Sequence, residues 1–326
     1  MRSLALMSLV SLGMLTACGG GGNGGGGGSV VTPAPTPTPA PSPSPSPSPT
    51  PTYARFVELT GNQNFRTACG ALDLNAAPPA PQPATDFGNG FDLSYTAGSE
   101  NYLLTGDGQS LSYGPAQRDP ASPSPTGSVS YTRVADGFTQ RLTLGIPTTG
   151  GVALDYTRGL SLRALRLGRP AQYQCIYGVP TLATDLPAAS VVYARTSLIG
   201  TIYAATTGGA QQVYSTEASV VGFTLDPVTS RVTFTLRLLG TLQTASGPAT
   251  TTTDLGTYTG TGTINAARTS YSGTLTSADR TVQFGTFGGW VFGPQAREAG
   301  LTLTLLALEP VSGTRVSVLG NIVATR

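Results

Sequence analysis

The stretch SRVTFTLRLLG, residues 230–240, places Val232, Phe234, Leu236 and Leu238 at every second position, with Arg231, Thr233, Thr235 and Arg237 between them. A period of two is the mark of a half-buried strand; a helix would need apolar residues three and four apart. The same pattern runs through most of the chain after residue 53. The run VVGFTLDPVTSRVTFTL adds a turn at Asp226–Ser230 between two such segments and predicts a hairpin. Further strand-like runs follow in GTYTGTGTINAARTSYSGTL, RTVQFGTFGGWVF, LTLTLLAL and TRVSVLGNIVAT. From Ser197 onward the pattern predicts about eight strands, and no long amphipathic helical period occurs anywhere. Short strands of small and β-branched residues with regular turns specify a closed antiparallel barrel or a sandwich, and closure would remove exposed edges.

Between Tyr53 and about Pro187 the pattern is β-like but looser. Hairpins are predicted with turns near Gly98, at Asp107-Gly108 and at Asp136-Gly137. Proline-rich gaps at Pro78–Pro83 and Pro120–Pro125 interrupt them. This part reads as a smaller β domain packed against the C-terminal one.

The N-terminus carries a different message. Arg2 precedes an apolar core from Leu4 to Leu15, shorter than the roughly 18 to 20 residues that span a bilayer. The core ends in LTAC, which resembles the lipobox of bacterial lipoproteins. That resemblance implies cleavage before Cys18 and acylation of its thiol. Several acyl chains, at about 0.8 kcal/mol per buried methylene, would anchor the chain to a membrane without threading it through. The alternative is an ordinary signal peptide with an incidental cysteine. Gly19 to Gly28 then reads as flexible coil, and from Pro33 to Pro51 every second residue is proline. Such a run favours polyproline II at about 3.1 Å per residue, a spacer on the order of 60 Å long. The rival reading is a proline-rich ligand for another domain. Glycine, not aspartate, follows Cys18, which points to the outer membrane. The long tether favours the cell surface, with the periplasmic face as the other option.

Charge and composition exclude several functions. Charged residues make up 10% of the chain, acids nearly balance bases, and no basic stripe exists for nucleic acid. Histidine is absent, which removes a Ser-His-Asp triad and histidine metal ligation. Besides Cys18 the chain has Cys69 and Cys175. In an exported chain an even pair reads as one disulfide, and two buried free thiols are the alternative. Acidic residues stand singly at turns, such as Asp107, Asp136, Asp226 and Asp279, where they bend the chain. No metal, cofactor or catalytic signature emerges, and an enzyme is not expected.

The only tryptophan lies in FGGWVFGPQAREAG, directly before the strand LTLTLL. Gly293 and Pro294 stop a strand, because proline cannot donate to a ladder. Residues 295–298 suit one helical turn, and Gly300 is expected to take a positive φ to re-enter a strand. Trp290 is expected to pack or to lie at a rim; a ligand role for Trp290 and Glu298 is the weaker reading. The segment, at Phe292, Gly293, Pro294, Ala296, Glu298 and Gly300, resembles a signature near the end of the barrel domains of transferrin-binding protein B-like surface lipoproteins. The preceding SYSGTL and the final LGNIVATR sit where that family has neighbouring and closing strands.

The resemblance implies an all-β chain with a C-terminal eight-stranded antiparallel β-barrel, a smaller β-rich handle-like domain before it, and a disordered lipidated tether. Its boundaries fall at 1–17 for the signal peptide, 18–52 for the linker, 53–190 for the handle-like domain and 191–326 for the barrel. The known members have two lobes and many lysines, whereas this chain has room for one handle and one barrel and no lysine at all. Their host-protein contacts lie in variable loops, so no ligand residue carries over and transferrin binding is not implied. The expectation is a surface binding lipoprotein for a solute or a protein ligand. The alternative is a structural or assembly lipoprotein of the envelope without its own ligand.

Overall fold

Ten strands from Val191 onward close into a ring in the computed structural model, which describes residues 51–120, 128–206 and 209–326. The leader, Cys18, the tether up to residue 50 and most of the proline gap at Pro120–Pro125 lie outside the described residues. The ring strands are β13 (Val191–Tyr193), β14 (Arg195–Ala205), β15 (Gln212–Ser215), β16 (Val220–Asp226), β17 (Arg231–Thr244), β18 (Gly247–Ile264), β19 (Tyr271–Ser277), β20 (Thr281–Phe292), β21 (Glu298–Leu308) and β22 (Arg315–Thr325). All their pairings are antiparallel. β13 and β14 are one stave interrupted at Ala194; β15 and β16 are another, broken between Ser215 and Val220. Both halves of the second stave pair with β17, at Tyr214↔Leu242 and at Phe223↔Phe234. The ring therefore has eight staves, and the register from Arg195↔Thr325 to Ala205↔Arg315 closes it.

The alternation read at 231–238 is realised in β17: Val232, Phe234, Leu236 and Leu238 are buried, and Arg231 and Arg237 are exposed. Small residues in GTYTGTGT leave room for the large ones opposite. Phe234 meets Phe287 at 5.0 Å between ring centroids, and Tyr193 meets Phe223 at 5.3 Å. With Tyr258, Tyr271 and Leu303 these rings belong to one buried cluster, so side chains fill the body of the barrel. An eight-stranded ring has an interior of about that size.

Before the barrel come two further sheets. One has the order β1-β4-β5-β6, from β1 (Gln63–Arg66), β4 (Asp92–Thr96), β5 (Asn101–Gly106) and β6 (Gln109–Tyr113). The other has the order β3-β2-β12-β11-β8-β7, from β2 (Ala68–Asp73), β3 (Ala80–Gln82), β7 (Val129–Ala135), β8 (Phe138–Gly145), β11 (Thr157–Arg166) and β12 (Arg169–Gly178). A hairpin of β9 (Thr148–Thr149) and β10 (Val152–Ala153) stands apart. The predicted turns at Asp107-Gly108 and Asp136-Gly137 are present, with positive φ at all four residues. Part of the gap at Pro78–Pro83 is strand after all. β3 contains Pro81 but lies at a sheet edge, where a missing N–H costs no ladder bond. Between the two sheets Phe91, Leu93, Leu104, Leu142, Leu162 and Tyr173 form a second core.

Cys69 and Cys175 are joined by a disulfide within that core, across 106 residues of sequence. The half-cystines face each other in register on β2 and β12, so the bond ties the second strand of this part of the chain to its last.

The six-stranded sheet lies against β21 and β22, which changes what alternation means there. Every residue of Glu298–Leu305 is buried, because one face of β21 meets the barrel core and the other meets the sheet. The polar positions of LTLTLL are thus not solvent-facing. Thr302 Oγ1 donates to the Gln174 carbonyl at 3.0 Å and Thr304 Oγ1 to that of Gln82 at 2.8 Å. On β22, Ser317 Oγ donates to the Pro79 carbonyl at 2.6 Å and Asn321 Nδ2 to that of Cys175 at 3.0 Å. Buried polar groups need partners, and here one sheet supplies them to the other.

Candidate functional site

The segment that interrupts the strands builds a joint between the barrel and the sheets before it. β20 ends at Phe292, Gly293 takes φ 72°, and Pro294–Arg297 close a tight turn in which the Arg297 N–H donates to the Pro294 carbonyl; Gln295 and Ala296 are both left-handed, so the helical turn expected there does not form. Glu298 already belongs to β21, so the turn is shorter than the four residues expected. The positive φ values lie at Gly293, Gln295 and Ala296, and not at Gly300. Gly300 is required for a different reason. A Cβ there would stand 2.5 Å from Ile176 Cγ1 of β12, inside any real contact distance. Gly300→Ala is expected to cost about 2 kcal/mol, because a packed interface must shift to admit a methyl group. Urea unfolding would show it, and the double change with Ile176→Ala, which removes the crowding Cγ1, should cost less than the sum of the two single changes.

The side chains of Trp290, Tyr193 and Asp185 are occupied from within the protein. Trp290 is 1% exposed, and its Nε1–H donates to the Thr181 carbonyl at 3.0 Å. Thr181 lies on the connector that leads into the barrel. Its N–H donates to the Val291 carbonyl and its hydroxyl to that of Gly293, while the Gly293 N–H donates to Val179. Tyr193 donates its hydroxyl to the Ala296 carbonyl at 2.9 Å. The Asp185 carboxylate accepts the Gln295 N–H at 3.0 Å and its side-chain amide at 2.5 Å. Burial works against that carboxylate, yet donors from Gln295 and Tyr53 hold its pKa below the usual range.

Glu298 is the centre of the joint. It is 2% exposed and accepts three successive backbone N–H groups: Asp155 on Oε1 at 2.7 Å, and Tyr156 and Thr157 on Oε2 at 3.0 and 2.8 Å. Burial pushes its pKa up, against the three donors, which pull it down. Arg297 adds an exposed ion pair to Asp155 at 3.5 Å. Phe292, Gly293, Pro294, Ala296, Glu298 and Gly300 all lie in this fastening. Neither Trp290 nor Glu298 presents a free polar atom to a ligand.

Open volume lies elsewhere. A cavity of about 540 Å³ opens at one end of the barrel, between the β14–β15 and β21–β22 connections and the base of the long β17–β18 hairpin. Tyr214 and Leu255 form its floor, and Gln212, Asp254, Arg280 and Glu309 carry its polar groups. Arg280 pairs with Glu309 at 3.4 Å. A second, smaller cleft of about 260 Å³ lies beside the tyrosines of β4, β5 and β7. Sequence reasoning named none of these residues, since they come from segments far apart in the chain. Among the described residues no three of Cys, Asp and Glu gather as a metal site, and no helix is long and apolar enough to cross a membrane.

The fold is thus an all-β body in which a closed eight-stave barrel is locked to a two-sheet unit. Solved structures similar to it are of transferrin-binding protein B. A double mutant of that vaccine antigen from Haemophilus parasuis Hp5 matches with a TM-score of 0.43 at 13% identity, over 80% of this chain and 46% of its own. The isotype 1 protein from serogroup B Neisseria meningitidis matches with a TM-score of 0.40 at 17% identity, over 80% of this chain and 43% of its own. Intact Ap-TbpB, with N and C lobes, gives 0.40 at 13% identity over 80% and 46%. The chain spans less than half the length of these structures. No family's sequence profile matches it, and no curated protein sequence is similar to it.

Proposed function

We propose that this chain is a lipid-anchored binding protein of the bacterial outer membrane, displayed at the cell surface through Cys18 and its tether. Residues 53–190 act as a handle and residues 191–326 as the barrel that presents the ligand-contacting end. The observation that carries the reading is the cavity of about 540 Å³ at the barrel end, above a body otherwise filled with side chains. That volume falls within the roughly 300 to 1,000 Å³ of small-molecule sites, and its walls mix Tyr214 and Leu255 with the charges of Asp254, Arg280 and Glu309. A solute, or one side chain of a protein ligand, fits such a mouth. Transferrin is not part of the proposal, and neither is catalysis.

Native mass spectrometry of the full chain, exported and recovered from membranes, tests both halves. A mass increment on Cys18 equal to diacylglycerol plus an acyl group supports the anchor; an unmodified thiol there would refute it. A stoichiometric extra mass, lost when Arg280→Ala is introduced, supports capture at the mouth. A bare chain that also retains nothing from envelope extracts would favour the structural or assembly role.

A further inference from the structure

We propose that the tyrosine cleft of the two-sheet unit is a second binding site, built for a zwitterion that carries a quaternary ammonium and a phosphate, as in the phosphocholine headgroup. This goes beyond the barrel mouth, rests on different residues and does not depend on how the chain is anchored.

The cleft lies where the two sheets part. Tyr95 on β4 and Tyr102 on β5 stand in register, and Tyr131 on β7 approaches from the other sheet. Tyr95 and Tyr102 are 4.8 Å apart between centroids and inclined by 36°; Tyr102 and Tyr131 are 5.7 Å apart and inclined by 60°. At these separations the rings already touch one another, so a flat aromatic ligand would not intercalate between them. A compact, rounded group suits them better. Ring faces and phenol oxygens both carry negative potential, which favours a cation of diffuse charge.

Two charges complete the cleft. Arg118 is fixed by a bridge of its backbone to Tyr131, and its guanidinium makes no ion pair or hydrogen bond with any described residue. Glu100, in the β4–β5 turn, likewise has no side-chain partner among the described residues. Both lie within electrostatic reach of the Tyr102 and Tyr131 hydroxyls. Burial and neighbouring phenols push the Tyr102 pKa up to about 12, so the wall stays uncharged at neutral pH. A simple anion would meet Glu100, and a simple cation would meet Arg118. A ligand with both signs satisfies each: phosphate on the guanidinium fork, and the trimethylammonium against the tyrosines on the side of Glu100. The volume of about 260 Å³ accommodates a headgroup of that size.

Isothermal titration of the full chain with free phosphocholine tests the site. One equivalent should bind, with choline alone and inorganic phosphate alone each weaker by about tenfold or more. Arg118→Gln, a change at a side chain with no partner among the described residues, should weaken phosphocholine by about tenfold with an unchanged melting temperature. Tyr95→Ala should do likewise, whereas Tyr95→Phe, which keeps the ring, should bind nearly as the parent does. Sedimentation with phosphatidylcholine vesicles then separates the sources. Capture of vesicles that Arg118→Gln abolishes assigns the site to lipid; binding of the free headgroup alone assigns it to a soluble or glycan-borne form. No heat at millimolar phosphocholine overturns the proposal, as does phosphate binding as tightly as phosphocholine. Binding untouched by both Arg118→Gln and Tyr95→Ala would overturn it too. None of these results bears on the barrel mouth, so the two sites succeed or fail separately.

Discussion

Glu298→Gln is expected to lower the folding stability of the described body by about 3 kcal/mol, although it removes no atom count from the joint. The carboxyl group accepts three N–H donors, one on Oε1 and two on Oε2. An amide keeps a single acceptor oxygen. Its best orientation places that oxygen on Tyr156 and Thr157 and turns its NH₂ towards the Asp155 N–H, donor against donor. A protonated carboxyl group differs, since both of its oxygens can still accept. The pH dependence follows from that difference. Burial raises the Glu298 pKa in the folded chain above its unfolded value, the three donors notwithstanding. The folded state then holds the proton more tightly than the unfolded one. This contribution is fully present below the unfolded carboxyl value and is lost as pH rises through the folded one. The stability gap between the parent and Glu298→Gln should therefore be widest near pH 4 and narrow towards pH 7, a range set by an ordinary Glu value of about 4.3. Paired urea unfolding curves would show this, with all other groups cancelling in the difference. A gap that widens with rising pH would mean that the ionised carboxylate is the form the joint selects.

The joint also shows what could be read from the sequence and what could not. Period-two alternation identified β17, and Asp-Gly pairs identified two hairpins, because both signals are local and backbone geometry dictates them. The stop at Gly293-Pro294 was legible for the same reason. The purpose of Gly300 was not, since it depends on Ile176, more than a hundred residues away, and a tight approach leaves no local trace. The LTLTLL run was legible as a strand but not in what covers it. Thr302 and Thr304 donate to carbonyls of another sheet. A hydroxyl suits water and a buried carbonyl equally well, so alternation reports two faces without saying what covers them. The two breaks that divide staves β13/β14 and β15/β16 carry no proline signal. The second depends on long-range bonds, such as Thr216 Oγ1 donating to the Leu198 carbonyl at 2.9 Å. Open clefts were the least legible of all. Tyr95, Glu100, Arg118 and Tyr131 become neighbours only once two sheets have formed.

Reduction of the Cys69–Cys175 disulfide, or the double change Cys69→Ala with Cys175→Ala, should cost more than any single substitution considered above. The bond closes a loop of 106 residues, for which the chain-entropy relation gives about 4 to 5 kcal/mol. In a body of this size each kcal/mol moves Tm by roughly 2 to 4 °C, so a fall of roughly 10 °C or more is expected. The location of the bond says where the loss should be felt. β2 pairs with β12 on one side and the edge strand β3 on the other, and its outer face meets the barrel, with Gly70 against Thr302, Thr304 and Leu319. Without the cross-link, β2 must find β12 across nearly the whole of the two-sheet unit, and the barrel staves β21 and β22 lose their cover until it does. Hydrogen exchange should then rise first in β2, β3 and β12, and next on β21 and β22. The remote staves β16 to β18 should be protected longest. Scanning calorimetry with and without reductant, followed by exchange on the reduced chain, gives both readings. If Tm falls by less than about 2 °C, the unfolded chain already holds β2 near β12, and the entropy assigned to that loop does not exist. If exchange instead rises evenly over both units, the joint at Glu298 makes them one cooperative body, and the disulfide protects the barrel as much as the sheets that carry it.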